Sequence, residues 1–288
     1  MTRERCAQAR RRRGDPLVGT APPVRRWLLV EQPGPWGPQP VPDSALPAPV
    51  KAALVARAAD LGARLLLIRP PGRWPEGPRR CGYADSVAGT LRWASCDDPA
   101  DLPGLDPTTG VLDEEPLYLV CAHGGHDACC AVLGRPAAAA LAAARPGRVW
   151  ECSHLGGDRF AGNVVVLPEG LYYGDVTADA AAGLADAHDK GLITPDLFRG
   201  RSTLPAPAQA AQHFARLRDG VAAIGSYPPR EVVRVGHEVW DVRFDGEVLR
   251  VRAVFERSDT PLTCAATVPA AIRSFELVSA RAEPGGAP

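Results

Sequence analysis

Short apolar runs alternate with turn-rich stretches along most of the chain. Residues 27–31 and 64–69 have the length and apolar density of buried strands. Between them a stretch dense in proline and glycine begins at Gln32, which predicts a loop. Val50, Leu54, Ala58 and Leu61 then recur at helical spacing, which predicts a helix over 47–61 that Asp43 or Ser44 introduces. After a second loop over 70–80, residues 81–85 and 89–94 read as two further short strands.

The order strand, helix, strand, strand then recurs. Residues 116–120 predict a strand, 135–145 an alanine-rich helix with Pro136 in its first turn, and 148–152 the next strand. Residues 163–167 and 171–174 flank Pro168-Glu169-Gly170 and predict a hairpin. The expected fold is therefore α/β, with two related modules of thioredoxin-like type side by side over 24–112 and 113–203. An arm over 1–23 precedes them, carrying a short helix. The region 204–288 follows as a helix over 208–224 plus a small β-rich appendage, in which residues 231–256 alternate as strands and Asp245-Gly246 marks a hairpin. Helical segments are also expected over 177–190 and 194–198.

Composition narrows the class. Hydrophobic residues make up 45% and charged residues 23% of 288, enough for a sizeable core. Lys+Arg and Asp+Glu both number 33, so no overall field favours nucleic acid or an anionic membrane. The run Arg10 to Arg13 reads as a solvated terminus. No window is long and apolar enough to span a membrane, and no apolar core follows the N-terminal arginines as a secretory signal would require. The expected location is the cytoplasm. In that reducing setting the eight cysteines suggest metal or redox chemistry rather than structural disulfides.

Three cysteines and two histidines crowd into VCAHGGHDACC, residues 120–130. Thiolate and imidazole are good ligands for iron and zinc. Cys121 ends a strand, and Cys129 and Cys130 stand just before a helix, whose free N–H groups favour thiolate. A second half-site is expected on ECSHLGGDRF, residues 151–160, with Cys152, His154 and Asp158. If the two preceding strands run parallel, both loops leave the same sheet edge. Gly156 and Gly157 permit the tight turn that lets residues 154 and 158 converge. His123 and His126 are read as tuning groups around the ligands, Asp127 as a loop cap, and Arg159 as a partner of Asp158. Cys6, Cys81 and Cys96 lie far from the site in sequence, and Cys264 reads as a small buried hydrophobe. Trp36, Trp74 and Trp150 read as packing residues, and His188, His213 and His237 are isolated.

CAHGGHDACC, WECSHLGGDRF and NVVVLPEGLYYG, taken together, resemble the sucrase/ferredoxin-like family, relatives of thioredoxin-like 2Fe-2S ferredoxins. GTAPPVRRWLLVEQPGPWG resembles that family's N-terminal module. The resemblance implies a 2Fe-2S cluster held through Cys121, Cys130 and His154. Eukaryotic relatives pair two cysteines with H-x-x-x-H, and here Asp158 stands where the second histidine would be. A carboxylate is a poorer ligand in a sulfide cluster, so Asp158, Cys152 and Cys129 remain alternatives for the fourth position.

The function expected on this footing is electron transfer with a redox partner protein, without nucleic acid or membrane. Two other readings stand beside it. One is a thiol enzyme using Cys129 and Cys130, with Cys121 or Cys152 resolving, although no C-x-x-C motif is present. The other is a zinc-stabilised or metal-free interaction module. No carboxylate pair is arranged for glycoside hydrolysis.

Overall fold

A computed structural model describes residues 4–72 and 77–283 of the chain. Part of the expected loop over 70–80, and Trp74 with it, lies outside them. The chain opens with a helix α1 (Cys6–Arg13), strand β1 (Arg26–Glu31), helix α2 (Ala48–Asp60) and strands β2 (Arg64–Arg69), β3 (Arg79–Asp85) and β4 (Thr90–Cys96). A short strand β5 (Val111–Asp113) ends this half. The second half has β6 (Leu117–Cys121), α3 (Ala128–Ala144), β7 (Val149–Cys152), β8 (Val164–Leu167) and β9 (Leu171–Tyr173). Then come α4 (Ala178–Asp189), β10 (Phe198–Arg201), α5 (Ala206–Asp219), β11 (Glu231–Gly236), β12 (Val239–Arg243), β13 (Glu247–Arg257) and β14 (Ala271–Ala282).

The fold is mixed α/β. The first ten strands form one sheet in the order β10-β9-β8-β6-β7-β2-β1-β3-β4-β5. Within it the halves share one internal order. β1 pairs in parallel with β2 and antiparallel with β3, which pairs antiparallel with β4. β6, β7, β8 and β9 repeat those relations. An antiparallel contact of β2 with β7, Ile68 opposite Cys152, fuses the halves edge to edge.

Side-chain alternation sorts the core by face. Trp27, Leu29, Leu66, Ile68, Leu117, Leu119, Cys121, Trp150 and Cys152 share one buried cluster across both halves. On the opposite face Leu28, Val30 and Leu67 pack with Val50, Leu54 and Ala58 of α2, while Tyr118, Val120 and Val149 pack with Ala137, Ala138 and Leu141 of α3. The sheet curls so far that Trp27 of β1 and Tyr172 of β9 bring their rings within 6.0 Å, with β8, β6, β7 and β2 between them in the order.

Four expectations are corrected. First, α3 starts at Ala128, not near residue 135, because the Asp127 side chain accepts from the Cys129 N–H and caps the helix seven residues earlier, leaving Pro136 inside it. Second, residues 195–197 make only a 3-10 turn before β10, an edge strand that short apolar content concealed. Third, the appendage has a fourth strand, β14, beyond the alternation recognised over 231–256. Fourth, the N-terminal arginine run is not a solvated tail. Cys6, Ala7 and Ala9 are buried. Arg10 pairs with Asp175, Arg13 with Asp15 at 2.8 Å, and Arg12 with Asp259 at 2.7 Å. Asp175 and Asp259, far along the chain, and nearby Asp15 thus hold α1 in place.

The appendage is the antiparallel sheet β11-β12-β13-β14, with Ala208, Ala211 and Ala215 of α5 packed on Val242, Leu249 and Val251. Buried Asp241 on β12 receives Arg250 at 2.6 Å and Arg281 at 2.8 Å. Arg250 chiefly, opposed by burial and helped by Arg281, holds its carboxyl below the usual carboxylate range. A depressed folded pKa adds stability above the unfolded value, about 3.9 for Asp, and that stability is lost as pH falls through the folded value. Asp241→Asn is therefore expected to destabilise the protein at pH 7, with the gap from wild type shrinking below about pH 4. Urea unfolding at stepped pH reads this, and a gap that does not change with pH would refute it.

A candidate metal centre at the sheet edge

β6 and β7 run parallel, with Cys121 directly opposite Cys152, so their loops leave the same edge. The two half-sites meet there. The donor atoms of Cys121, Cys130 and His154 lie within 4.8 Å of one another, and so do those of His126, His154 and Asp158. Cys130, in the first turn of α3, donates its thiol to Asp158 Oδ1 at 3.4 Å. His154 Nδ1 stands 3.1 Å from the same oxygen, and His126 Nε2 3.7 Å from Asp158 Oδ2. The His126 and His154 rings lie 3.9 Å apart between centroids. The thiols and the carboxylate are buried, His154 is half-buried, and His126 faces solvent.

The charges in this cluster are mutually arranged. Cys130 and His154 hold the Cys121 thiol well below its ordinary range against the cost of burial. Cys121 and burial in turn push the Cys130 thiol up. Burial pulls His154 down, but Asp158 and Cys121 outweigh it and raise it to about 9. Burial likewise opposes ionisation of Asp158, and His154 and His126 reverse the balance and lower it. The result is a compact set of soft and imidazole donors around one carboxylate.

The loop that carries His154 and Asp158 is held from outside. Gly156 and Gly157 take positive φ of 96° and 85°, the turn that brings residues 154 and 158 together. Arg64 donates to the carbonyls of His154 at 2.6 Å and Leu155 at 3.0 Å. Arg199 is buried and donates to Gly156 O at 2.9 Å, Asn163 Oδ1 at 2.6 Å and Thr20 O at 2.7 Å. Burial lowers its pKa only to about 10, so it stays cationic at neutral pH. No local signal marks either arginine, since both reach the loop from distant strands.

The family model for sucrase/ferredoxin-like proteins matches residues 51–200, just over half of the chain. The chain belongs to the sucrase/ferredoxin-like family. Altered inheritance of mitochondria protein 32 of Meyerozyma guilliermondii is 34% identical over 101 residues, a match that covers 31% of this chain and 35% of that protein. The chain thus spans about a third of the length of that curated relative. No solved structure matches. Among the described residues, no helix is long and apolar enough to cross a membrane.

In this sucrase/ferredoxin-like chain the remaining candidate residues are placed as follows. Cys152 is wholly buried in the shared core, where burial raises its thiol, and it joins neither donor group. Cys129 turns away from Cys130 and meets Cys6 and Cys264 instead. The adjacent thiols therefore face different neighbours. His123 is buried, with Nε2 2.7 Å from Gly37 O and its ring edge-on to Trp36. Burial lowers its pKa, which favours the neutral ring. Arg159 does not pair with Asp158. It reaches Asp15 at 3.4 Å and lies over the Phe160 ring, because the 3-10 turn Asp158–Phe160 points successive side chains apart. Cys81 and Cys96 sit with the α2 cluster of the first half. Cys264 is not a plain buried hydrophobe, since its thiol and its N–H are both engaged.

Gly134 sets the distance between α3 and β6. A Cβ there would stand 2.0 Å from the carbonyl oxygen of Cys121. Alanine gains about 1 kcal/mol of helix propensity over glycine, but that contact is with backbone and forces the helix away. Gly134→Ala is expected to destabilise the fold by about 1–3 kcal/mol and to separate Cys121 from Cys130. Chemical denaturation and the alkylation rates of Cys121 and Cys130, read by mass spectrometry, measure the two effects. A variant as stable as wild type with unchanged alkylation rates would refute the assignment.

Proposed function

We propose that the protein transfers electrons through a 2Fe-2S cluster held by Cys121, Cys130, His154 and His126. The observation that carries this reading is the overlap of two donor groups at the edge of a parallel strand pair: Cys121, Cys130 and His154 form one, and His126, His154 and Asp158 the other, with His154 shared. Two thiols and two imidazoles match the mixed ligation that iron–sulfur centres use. His126 is preferred to Asp158 as the fourth ligand because imidazole is the better donor to iron. Asp158 then takes the part that carboxylates play behind metal-bound histidines, fixing the orientation of both rings. The family and the partial likeness to the mitochondrial inheritance protein support the reading at the level of kinship. Each half is further read as thioredoxin-like, supported by the repeated order in which the first strand lies between the second and the third.

When bound, a 2Fe-2S cluster accepts and returns one electron at a potential that its ligands set. The chain's own residues do the rest. Buried Cys121 and Cys130 anchor the inner side in a dry, apolar setting. Exposed His126 offers the outer side to a redox partner protein. Imidazole in place of thiolate removes negative charge, so the expected potential lies above the roughly −400 mV of plant-type ferredoxins and toward the Rieske range of about −150 to +300 mV.

Anaerobic purification with visible and EPR spectra, iron and sulfide analysis tests this directly. His126→Ala and Cys121→Ser are expected to bleach the protein. Asp158→Asn is expected to keep the colour with an altered potential, and Cys152→Ser to leave the spectrum unchanged. A colourless wild type without labile sulfide, or zinc in place of iron, would overturn the proposal. Bleaching by Asp158→Asn but not by His126→Ala would reassign the fourth ligand.

A further inference from the structure

A second group of donors lies on the other side of the first turn of α3. Cys6 of α1, Cys129 of α3 and Cys264 of the β13–β14 connection bring their sulfurs to 3.6 Å, 3.5 Å and 3.5 Å from one another. The Asp127 carboxylate joins them, 3.6 and 3.7 Å from the Cys6 sulfur. Its two oxygens also accept from the Cys129 N–H at 2.8 Å and the Cys264 N–H at 2.6 Å, so the carboxylate is fixed in place.

We infer that Cys6, Cys129, Cys264 and Asp127 form a structural zinc site, separate from the centre at Cys121. The triangle of sulfurs is nearly equilateral. Thiolates about 2.3 Å from a tetrahedral zinc stand about 3.8 Å apart, close to the spacing seen. A disulfide explains the arrangement poorly, because it joins two sulfurs at about 2.05 Å and leaves the third without a role. All eight cysteines are free. Three thiolates and one carboxylate, with every position taken by protein, describe a closed site of the structural kind.

The surroundings suit such an ion. Asp127 and Cys129 stand at the N-terminus of a 17-residue helix, where partial positive charge favours thiolate. The fixed hydrogen bonds to Asp127 orient that ligand, as outer partners do at metal sites. A cavity of about 320 Å³ lined by Cys6, Ala128 and Cys264 gives an entry path. Cys6 and Cys264 lie outside residues 51–200, so the family match does not contain this ligand set. The ion ties α1 and the appendage to the helix turn that presents Cys130.

The inference does not rest on the iron–sulfur reading, and the 288-residue chain separates the two. Zinc, iron and sulfide are measured on wild type, Cys264→Ser, Cys6→Ser and Cys121→Ser after expression with both metals supplied. Wild type is expected to hold one zinc per chain. Cys264→Ser and Cys6→Ser are expected to lose at least tenfold of the zinc and to keep their iron and sulfide, while Cys121→Ser does the reverse. Cobalt added to metal-stripped wild type should give the spectrum of a tetrahedral thiolate site, and Cys264→Ser should not. Should the serine variants fail to fold, alkylation of wild type read by mass spectrometry replaces them. Cys6, Cys129 and Cys264 should react at least tenfold faster after chelation, and readdition of zinc should restore protection. Absence of zinc and cobalt binding in wild type, retention of zinc by Cys264→Ser, or alkylation indifferent to chelation would each overturn the site.

Discussion

The hydrogen bond from the Cys129 N–H to the Asp127 carboxylate fixes where α3 begins, and the chemistry of this protein depends on that starting point. Neighbouring residues in an α-helix point about 100° apart. With the helix begun at Ala128, Cys129 and Cys130 must face different directions. Cys130 turns to Cys121 and Asp158, and Cys129 to Cys6 and Cys264. Had the helix begun near Pro136, both thiols would sit on a free loop and could serve one centre. One capping interaction thus divides a crowded motif into two sets of ligands with separate surroundings.

The sheet supplies the rest of the frame. Parallel pairing of β6 with β7 brings two loops to one edge, and Gly134 lets the helix approach the strand closely enough for Cys130 to meet Cys121. The loop that carries His154 and Asp158 has little regular structure, so Arg64 and Arg199 hold its carbonyls by charge-assisted bonds. These arginines come from β2, in the first half, and from β10, at the sheet edge. The repeated half that carries no cysteine centre of this kind therefore still contributes to the one that does.

Much of this could be read in the chain beforehand. Apolar runs of strand length located β1, β2, β6, β7, β8 and β9, and the Gly-Gly turn located the convergence of His154 with Asp158. What could not be read had a common physical origin. Pro136 looked like a first-turn proline, and the stronger signal, an Asp two residues before Cys129, was taken only as a loop cap. The arginines of α1 looked solvated because Asp175 and Asp259 are remote in sequence. Cys6 and Cys264 looked unrelated because periodicity reports neighbours along an element, not segments that meet only after the sheet has curled.

The meeting of Cys6 with Cys264 joins residues 258 positions apart. Loop-closure entropy rises only slowly with length, so a contact of that span is set by the packing of the elements between the two residues and not by local sequence. The triad therefore links the first helix, the first turn of α3 and the connection inside the last sheet, so loss of any one of these segments removes a sulfur from the group.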